Sequence, residues 1–191
     1  MSALRSDAAR SRSRILDAAS THATDDLRLN EIAREAGVGV ATVYRHFPTV
    51  RALVEALTAN TVDRLLTLAR EAAAEPDPSA AFAFFLRGTL TLQLDDDGLQ
   101  TILMTHDDES PETSSAKSEI FTTAATVLER AKDAGAVRSD VTLDQLQHLV
   151  CGIEHAVRLG EPGDRGPLLE ILVAGLRPAP GAKAGEAHAH R

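Results

Sequence analysis

The sequence predicts an all-α protein of about nine helices, arranged as an N-terminal head and a longer helical body that meet near residue 50. Three observations lead there. Apolar residues recur at three- and four-residue spacing along most of the 191 residues, the period of a helix with one buried face. Those runs are punctuated by Gly37, Pro48, Pro76-Asp77-Pro78, Gly98, Pro111, Gly135, Gly160 and Pro178, residues that end helices or turn the chain. No alternating strand pattern, internal repeat or sustained heptad run is present.

The elements follow in order. Residues 1–10 read as a disordered basic arm. A first helix is expected from Ser11 or Arg12 to His22, with Ile15, Ala18, Ala19 and His22 on its buried side. Leu29, Ile32, Ala33 and Ala36 then fall at i, i+3, i+4 and i+7, one face of a second helix. Gly37 permits the left-handed backbone that would end it. Val40, Val43, Tyr44 and Phe47 repeat the spacing on a third short helix, which Pro48 stops. Two short helices joined by a glycine turn form a helix-turn-helix, whose second helix can enter a DNA major groove.

A long helix is expected from Arg51 to about Ala74, with Leu53, Leu57, Val62, Leu65, Leu66 and Leu68 on its apolar side. A helix over Ser79–Leu94 carries Phe82, Phe85, Leu86 and Leu90 on one face, with Phe84 beside them. A short helix capped by Asp97 runs to Thr105, and His106-Asp107-Asp108-Glu109-Ser110-Pro111 reads as an acidic, solvated loop. Three more helices span about Glu112–Ala134, Asp140–Leu159 and Asp164–Leu176. The Ala/Pro/Gly/His tail over 178–191 reads as disordered.

The segment Glu31-Ile32-Ala33-Arg34-Glu35-Ala36-Gly37-Val38, followed by Thr42-Val43-Tyr44-Arg45-His46-Phe47-Pro48, resembles the DNA-binding domain of TetR-family transcriptional regulators. The Thr-aliphatic-Tyr-x-His-Phe core is far more specific than a generic helix-turn-helix. The resemblance is sharp over about residues 11–57; beyond that it rests on length and helical pattern. It implies a three-helix DNA-binding head over 11–50 and a ligand-binding and dimerisation bundle over 51–177.

The charge distribution agrees with that division. The net charge is −8, but residues 1–51 hold eight arginines and six acidic residues, and the remainder holds twelve basic and twenty-two acidic residues. The head is therefore net positive and can meet phosphates, while the acidic body faces away from DNA. Within the head, Val43 and Phe47 look inward, and Val40, Ala41, Thr42 and Arg45 can face outward. A guanidinium can pair with guanine O6 and N7, and Ala or Val can meet a thymine methyl. Arg45 is thus the leading candidate for base readout, with phosphate contact as its competitor. Tyr44, His46 and Thr42 match family positions that hold phosphates. Arg12, Arg14, Asn30, Thr49 and Arg51 complete the candidate DNA-contacting set.

The chain departs from the family in two places. Its first helix ends about four residues early, roughly one turn, and Arg28 stands where Ser or Thr usually caps the second helix, leaving Asp25 or Asp26 to cap. Val50 replaces a lysine that meets the DNA backbone in the family, with Arg51 next to it and Thr49 able to cap the fourth helix.

The resemblance further implies a homodimer and a small-molecule effector. Leu146, Leu149, Val150, Ile153, Val157, Leu168, Leu169, Leu172, Val173 and Leu176 make the last two helices apolar enough to pair as a four-helix bundle, the competing reading being an ordinary monomer core. Candidate effector contacts are Phe82, Phe85, Leu86, Leu103, Met104, Phe121 and Cys151, with His155 as a polar partner; plain core is the alternative for each.

Other chemistry is thin. His148, Cys151 and His155 share one helix face and could ligate zinc or copper, but a buried Cys between two partly exposed His is the preferred reading, and no metal is expected. Asp95-Asp96-Asp97-Gly98 lacks the spacing of a calcium loop. Gly37-Val38-Gly39-Val40-Ala41-Thr42 lacks the third glycine of a dinucleotide fingerprint and follows a helix. No nucleophile elbow or phosphate loop occurs, so neither an enzyme nor a resident cofactor is expected. The single cysteine fits a reducing cytoplasm, and no apolar run approaches the ~20 residues that span a bilayer. The expected partners are a double-stranded DNA operator, a small-molecule effector and a second copy of the chain, and the expected role is repression. The alternatives are an activator or nonspecific binder without ligand, and an all-α interaction protein whose helix-turn-helix does not work.

Overall fold

A computed structural model of the chain describes residues 2–105, 107–161 and 163–179. Among these residues are nine α-helices and one 3-10 turn, with no strand. The helices are α1 (Ser2–Ala19), α2 (Leu29–Glu35), α3 (Val40–His46), α4 (Val50–Ala74), α5 (Pro78–Asp95), α6 (Asp97–Met104), α7 (Pro111–Asp133), α8 (Leu143–Leu159) and α9 (Arg165–Leu176); the 3-10 turn is Thr24–Asp26.

Contacts group the chain into two units. One holds the chain up to Arg64 together with Asp95–Ser118; the other holds Leu65–Leu94 together with the chain from Glu119 onward. This grouping differs from a cut near residue 50, because α4 and α7 each supply residues to both units.

In the first unit, α1 starts at Ser2, so residues 2–10 belong to a helix and not to a disordered arm. Arg10 pairs with Asp7 one turn back, a spacing that supports helix. The helix stops at Ala19, and His22 lies beyond it, its Nε2 2.6 Å from a Glu35 carboxylate oxygen. Ile15, Ala19, Leu27, Ile32, Ala33, Val43 and Phe47 fill the core of the head. Arg28 occupies the N-cap of α2 and makes no capping bond there. Its guanidinium donates instead to the carbonyls of Asp25 and Leu27, and Asp25 and Asp26 form the 3-10 turn.

The turn between α2 and α3 depends on Gly37, which has φ +62°. Its N–H donates to Arg34 O, and the N–H of Val38 donates to Ala33 O. These two bonds form a Schellman ending, which satisfies the last carbonyls of α2 and needs a left-handed residue at that position. Arg14 of α1 donates to the Gly37 carbonyl at 3.1 Å, tying the first helix to the turn.

Elsewhere in this unit, the N-terminus of α6 is capped by Asp96, which accepts from the Gly98 N–H, and not by Asp97. Asp96 also accepts from the Thr61 hydroxyl of α4 at 2.5 Å. The chain between α6 and α7 is a solvated acidic loop only in part: Asp107 and Glu109 are exposed. Asp108 is buried and pairs with Lys117 at 2.7 Å, both side chains being under 10 % exposed (5 % and 7 %). Lys117 also donates to Thr105 O. His106 lies outside the described residues.

In the second unit, α5 buries Ala81, Phe82, Phe85, Leu86, Leu90, Leu92 and Gln93. Arg130 of α7 donates to the carbonyls of Ala73 and Glu75, closing the end of α4. A capping box between Thr142 and Gln145 opens α8. α8 packs on α9, and Leu146, Val150, Leu172 and Leu176 are buried. The last helix ends at Leu176; of the tail predicted to be disordered, residues 180–191 lie outside the described residues.

Candidate nucleic-acid interface

The second helix of the motif has one face rooted in the head and one open to solvent. Val43 is 0 % and Phe47 2 % exposed, so they fix α3 on the core. Val40, Ala41, Tyr44 and Arg45 are exposed, and Thr42 and His46 are half-buried. Val40 and Tyr44 therefore do not extend the buried stripe, although their spacing suggests it; each is 46 % exposed. The result is a surface on which a guanidinium, a phenol, an imidazole, a hydroxyl and two small apolar groups share one helix. These groups can donate to phosphates, read a guanine edge and cover a thymine methyl.

The flanking candidates have duties within the chain. Arg12 stacks over the Phe47 ring at 5.3 Å, and Arg14 holds the Gly37 carbonyl. Both remain exposed, so each supports the turn while keeping its charge near the surface. Asn30 is exposed on α2. Thr49 caps α4, its hydroxyl accepting from Ala52 N at 3.0 Å and donating to Glu109 at 2.9 Å. Arg51 donates to the carbonyl of Asp107. Thr49 and Arg51 are thus engaged by the segment before α7.

That segment is held by a residue that sequence reasoning missed. Glu55 is 4 % exposed. Its two carboxylate oxygens accept from the backbone N–H groups of Glu109 at 2.7 Å and Ser110 at 2.9 Å. Charge-assisted bonds of this kind are the strong ones, and a carboxylate suits the positive N-terminal end of α7. The available signal was an acidic residue set between Leu53-Val54 and Leu57 on the apolar side of α4.

The effector and dimer candidates are distributed less simply. Phe82, Phe85 and Leu86 are buried on α5, Phe121 and Cys151 are half-buried, and His155 is exposed. Leu103 and Met104 belong to the first unit, and Met104 is exposed. A groove of about 490 Å³ in the second unit is lined by other residues: Arg138, Asp140, Val141, Gln145, His148 and Leu149. At its rim the Arg138 hydrogen bonds hold the Asp140 carboxyl below its ordinary value and raise Arg138 in return. Among the described residues, no three His, Cys, Asp or Glu side chains come together as metal ligands.

Of the proposed dimer residues, Leu146, Val150, Leu172 and Leu176 face the unit's own core, which leaves them little surface for a second chain. Ile153, Val157, Leu168, Leu169 and Val173 are half-buried, and Leu149 is 44 % exposed. The most exposed large apolar residues of these helices are Leu159 at 77 % and Ile171 at 65 %. Neither was singled out from the sequence, because periodicity ranks apolar positions without saying which neighbour covers them.

A helix-turn-helix head whose recognition helix is rooted by Val43 and Phe47, in an otherwise helical chain, defines a DNA-binding protein of the helix-turn-helix class. The comparisons narrow the class. Residues 15–57 match the family described as bacterial regulatory proteins, tetR family, and residues 77–178 match the C-terminal domain of SbtR-like transcriptional regulators. The chain belongs to the TetR family of transcriptional regulators.

Solved structures agree. The TetR transcriptional regulator SCO0520 from Streptomyces coelicolor is 30% identical over 88% of this chain and 99% of its own, with a TM-score of 0.52. FadR from Bacillus subtilis, solved in complex with stearoyl-CoA, shares the fold at 16% identity over 87% of this chain and 100% of its own, with a TM-score of 0.56. A gamma-butyrolactone receptor described as ArpA-like shares it at 23% identity over 90% of both chains, with a TM-score of 0.59. No curated protein matches the chain. No helix among the described residues is long and apolar enough to cross a membrane.

Proposed function

We propose that this regulator is a repressor that binds a palindromic operator as a homodimer and is released by a small molecule. The observation that carries the reading is α3, which holds Val40, Ala41, Thr42, Tyr44, Arg45 and His46 outward from the buried pair Val43 and Phe47. In this reading Arg45 reads a base or its phosphate, and Tyr44, His46 and Thr42 hold the backbone. Arg12, Arg14, Asn30, Thr49 and Arg51 add contacts around it.

One recognition helix reads only a few base pairs. Two heads related by a two-fold axis read a palindrome with half-sites ~34–36 Å apart or somewhat more. The partner surface is the open face of α8 and α9, where Leu149, Leu159 and Ile171 stand exposed and Gly152, Ala174 and Gly175 permit close approach. The residues already buried behind that face support it without touching the partner. Two proteins of the same fold are described by small molecules, stearoyl-CoA and gamma-butyrolactone, which supports an effector here. The coupling it must supply is modest, ~1–3 kcal/mol or 5–150-fold in DNA affinity.

The test is Ile171→Glu. A charge at this exposed position leaves the monomer core intact, so the variant is expected to fold, run as a monomer in light scattering, and lose operator binding. A variant that remains dimeric and binds the operator as before would refute the α8–α9 interface.

A further inference from the structure

The second unit contains a polar cluster that its packing does not use. Gln93 of α5 is 1 % exposed, and its Oε1 has no hydrogen-bond partner. One turn earlier, Thr89 Oγ1 is likewise buried and without a partner. Phe82, Phe85, Leu86, Thr89 and Gln93 follow helical spacing and lie on one stripe of α5. The stripe is therefore apolar at its N-terminal end and polar at its C-terminal end.

The polar end is tied to α8 by a guanidinium. Glu154 is 3 % exposed and accepts from Arg158 Nε. Arg158 Nη2 donates to the main-chain carbonyl of Gln93 at 2.7 Å. Glu154 and Arg158 thus satisfy each other and fix the end of α5, while the Gln93 amide oxygen and the Thr89 hydroxyl stay unused. The Arg158 side chain is 35 % exposed, so the cluster reaches solvent at that side. Buried polar groups in folded proteins are nearly always paired. Two orphans one turn apart on the same face mark a place where the partner comes from outside the chain.

We propose that Thr89 and Gln93 are the hydrogen-bonding anchor of the effector site, and that the effector is a neutral molecule with a hydroxyl or N–H donor at one end and an apolar body laid along Phe82, Phe85 and Leu86. The inference rests on the ligand-responsive reading above. Gln93 Oε1 is an acceptor, so it requires a donor; the Thr89 hydroxyl can donate or accept. An anionic head is disfavoured, because it would have to be buried near the Glu154 carboxylate, whose own charge is already matched by Arg158. Phe121 and Cys151, half-buried in the same unit, are not required by this placement.

The test uses the full-length wild type and the variants Gln93→Leu and Thr89→Val. Thermal unfolding without additive comes first. Thr89→Val removes an unpartnered hydroxyl and Gln93→Leu an unpartnered amide oxygen, so both are expected to melt near or above the wild-type temperature; a clear drop would show that these side chains hold the fold and would overturn the proposal. Binding of 1-decanol, decanamide and decanoate is then measured by calorimetry and thermal shift. The alcohol and the amide are expected to bind the wild type, decanoate at least tenfold more weakly, and Gln93→Leu to weaken the neutral pair by tenfold or more. Equal binding to wild type and Gln93→Leu, equal binding of decanoate, or no binding by any of the three would overturn it. Selection of an operator by the wild type is scored separately. If no sequence is selected, the operator-binding repressor reading fails; if one is selected while the probes fail, only the anchor fails.

Discussion

Replacing Glu55 by Gln tests whether one buried carboxylate holds the segment packed on the N-terminal end of α4. Glu55 is 4 % exposed and accepts two backbone N–H bonds, from Glu109 at 2.7 Å and Ser110 at 2.9 Å. Glutamine keeps one acceptor and turns an NH₂ toward the other donor. One charge-assisted bond is lost, about 1.5–3 kcal/mol, and one N–H is left facing a donor, about 1–3 kcal/mol. The favourable placement of a negative charge at a helix N-terminus, about 0.3–1 kcal/mol, is lost too. Relief from burying a charge opposes these losses. The net expectation is a destabilisation of about 2–4 kcal/mol, which for a chain of this size lowers Tm by roughly 4–16 °C. Urea unfolding followed by circular dichroism measures the first number. Hydrogen exchange at the amides of Glu109 and Ser110 localises it, since those two should lose protection before the amides of α7. A variant within about 0.5 kcal/mol of wild type with both amides still protected would refute the reasoning.

Gly37→Ala forces a side chain into φ +62° and places a Cβ 2.6 Å from Arg14 Nη2, so a cost of about 1–2 kcal/mol from the backbone plus loss of the Arg14 bond should lower both Tm and DNA affinity. Gly135→Ala is the control: φ is +69° with nothing within 4 Å of the new Cβ, so Tm should fall by a similar backbone amount while DNA affinity is unchanged. Lys117→Met strands the buried Asp108 carboxylate and should cost about 3–5 kcal/mol in the same urea assay. Arg70 holds the Glu119 carboxyl below its ordinary 4.5 through a side-chain hydrogen bond. A depressed carboxylate adds stability that is present above its unfolded value and is lost as pH falls through its folded value. Glu119→Gln should therefore lose a small increment of stability at neutral pH, small because the pair is exposed, and converge with wild type as pH falls below about 5, which urea unfolding across pH checks.

The head was legible in the sequence because its signals are local. Gly37 demanded a left-handed turn, Val43 and Phe47 set the buried face of α3, and the Thr42-to-Pro48 core named the family. The first helix was cut short because Ser11-to-His22 carries the only apolar repeat there, and polar helix such as Ser2–Arg10 leaves no periodic trace. Within the acidic stretch, the burial of Asp108 and the tie on the Glu109 backbone were not visible because their partners, Lys117 and Glu55, lie on other helices. Such pairings are long-range, and no spacing rule reports them. The same limit applied to α8 and α9. Apolar content marked both helices, but which residues the chain buries for itself, such as Leu146 and Leu172, and which it leaves open, such as Leu159 and Ile171, is set by tertiary packing. Gln93 and Glu154 were missed because a lone polar residue in an apolar helix does not announce whether it is buried.

Selection of the wild-type protein against a random-sequence duplex library at near-physiological salt tests the DNA-binding reading most directly, with Arg45→Ala run in parallel. The expected result is a palindrome with half-sites about one helical turn apart or somewhat more, bound with an affinity that falls steeply with salt. Arg45→Ala should relax one base position if Arg45 reads a base, or weaken all sequences alike if it holds a phosphate. Recovery of no motif by folded wild-type protein would contradict the operator-binding account and turn attention to nonspecific DNA binding or to a protein partner.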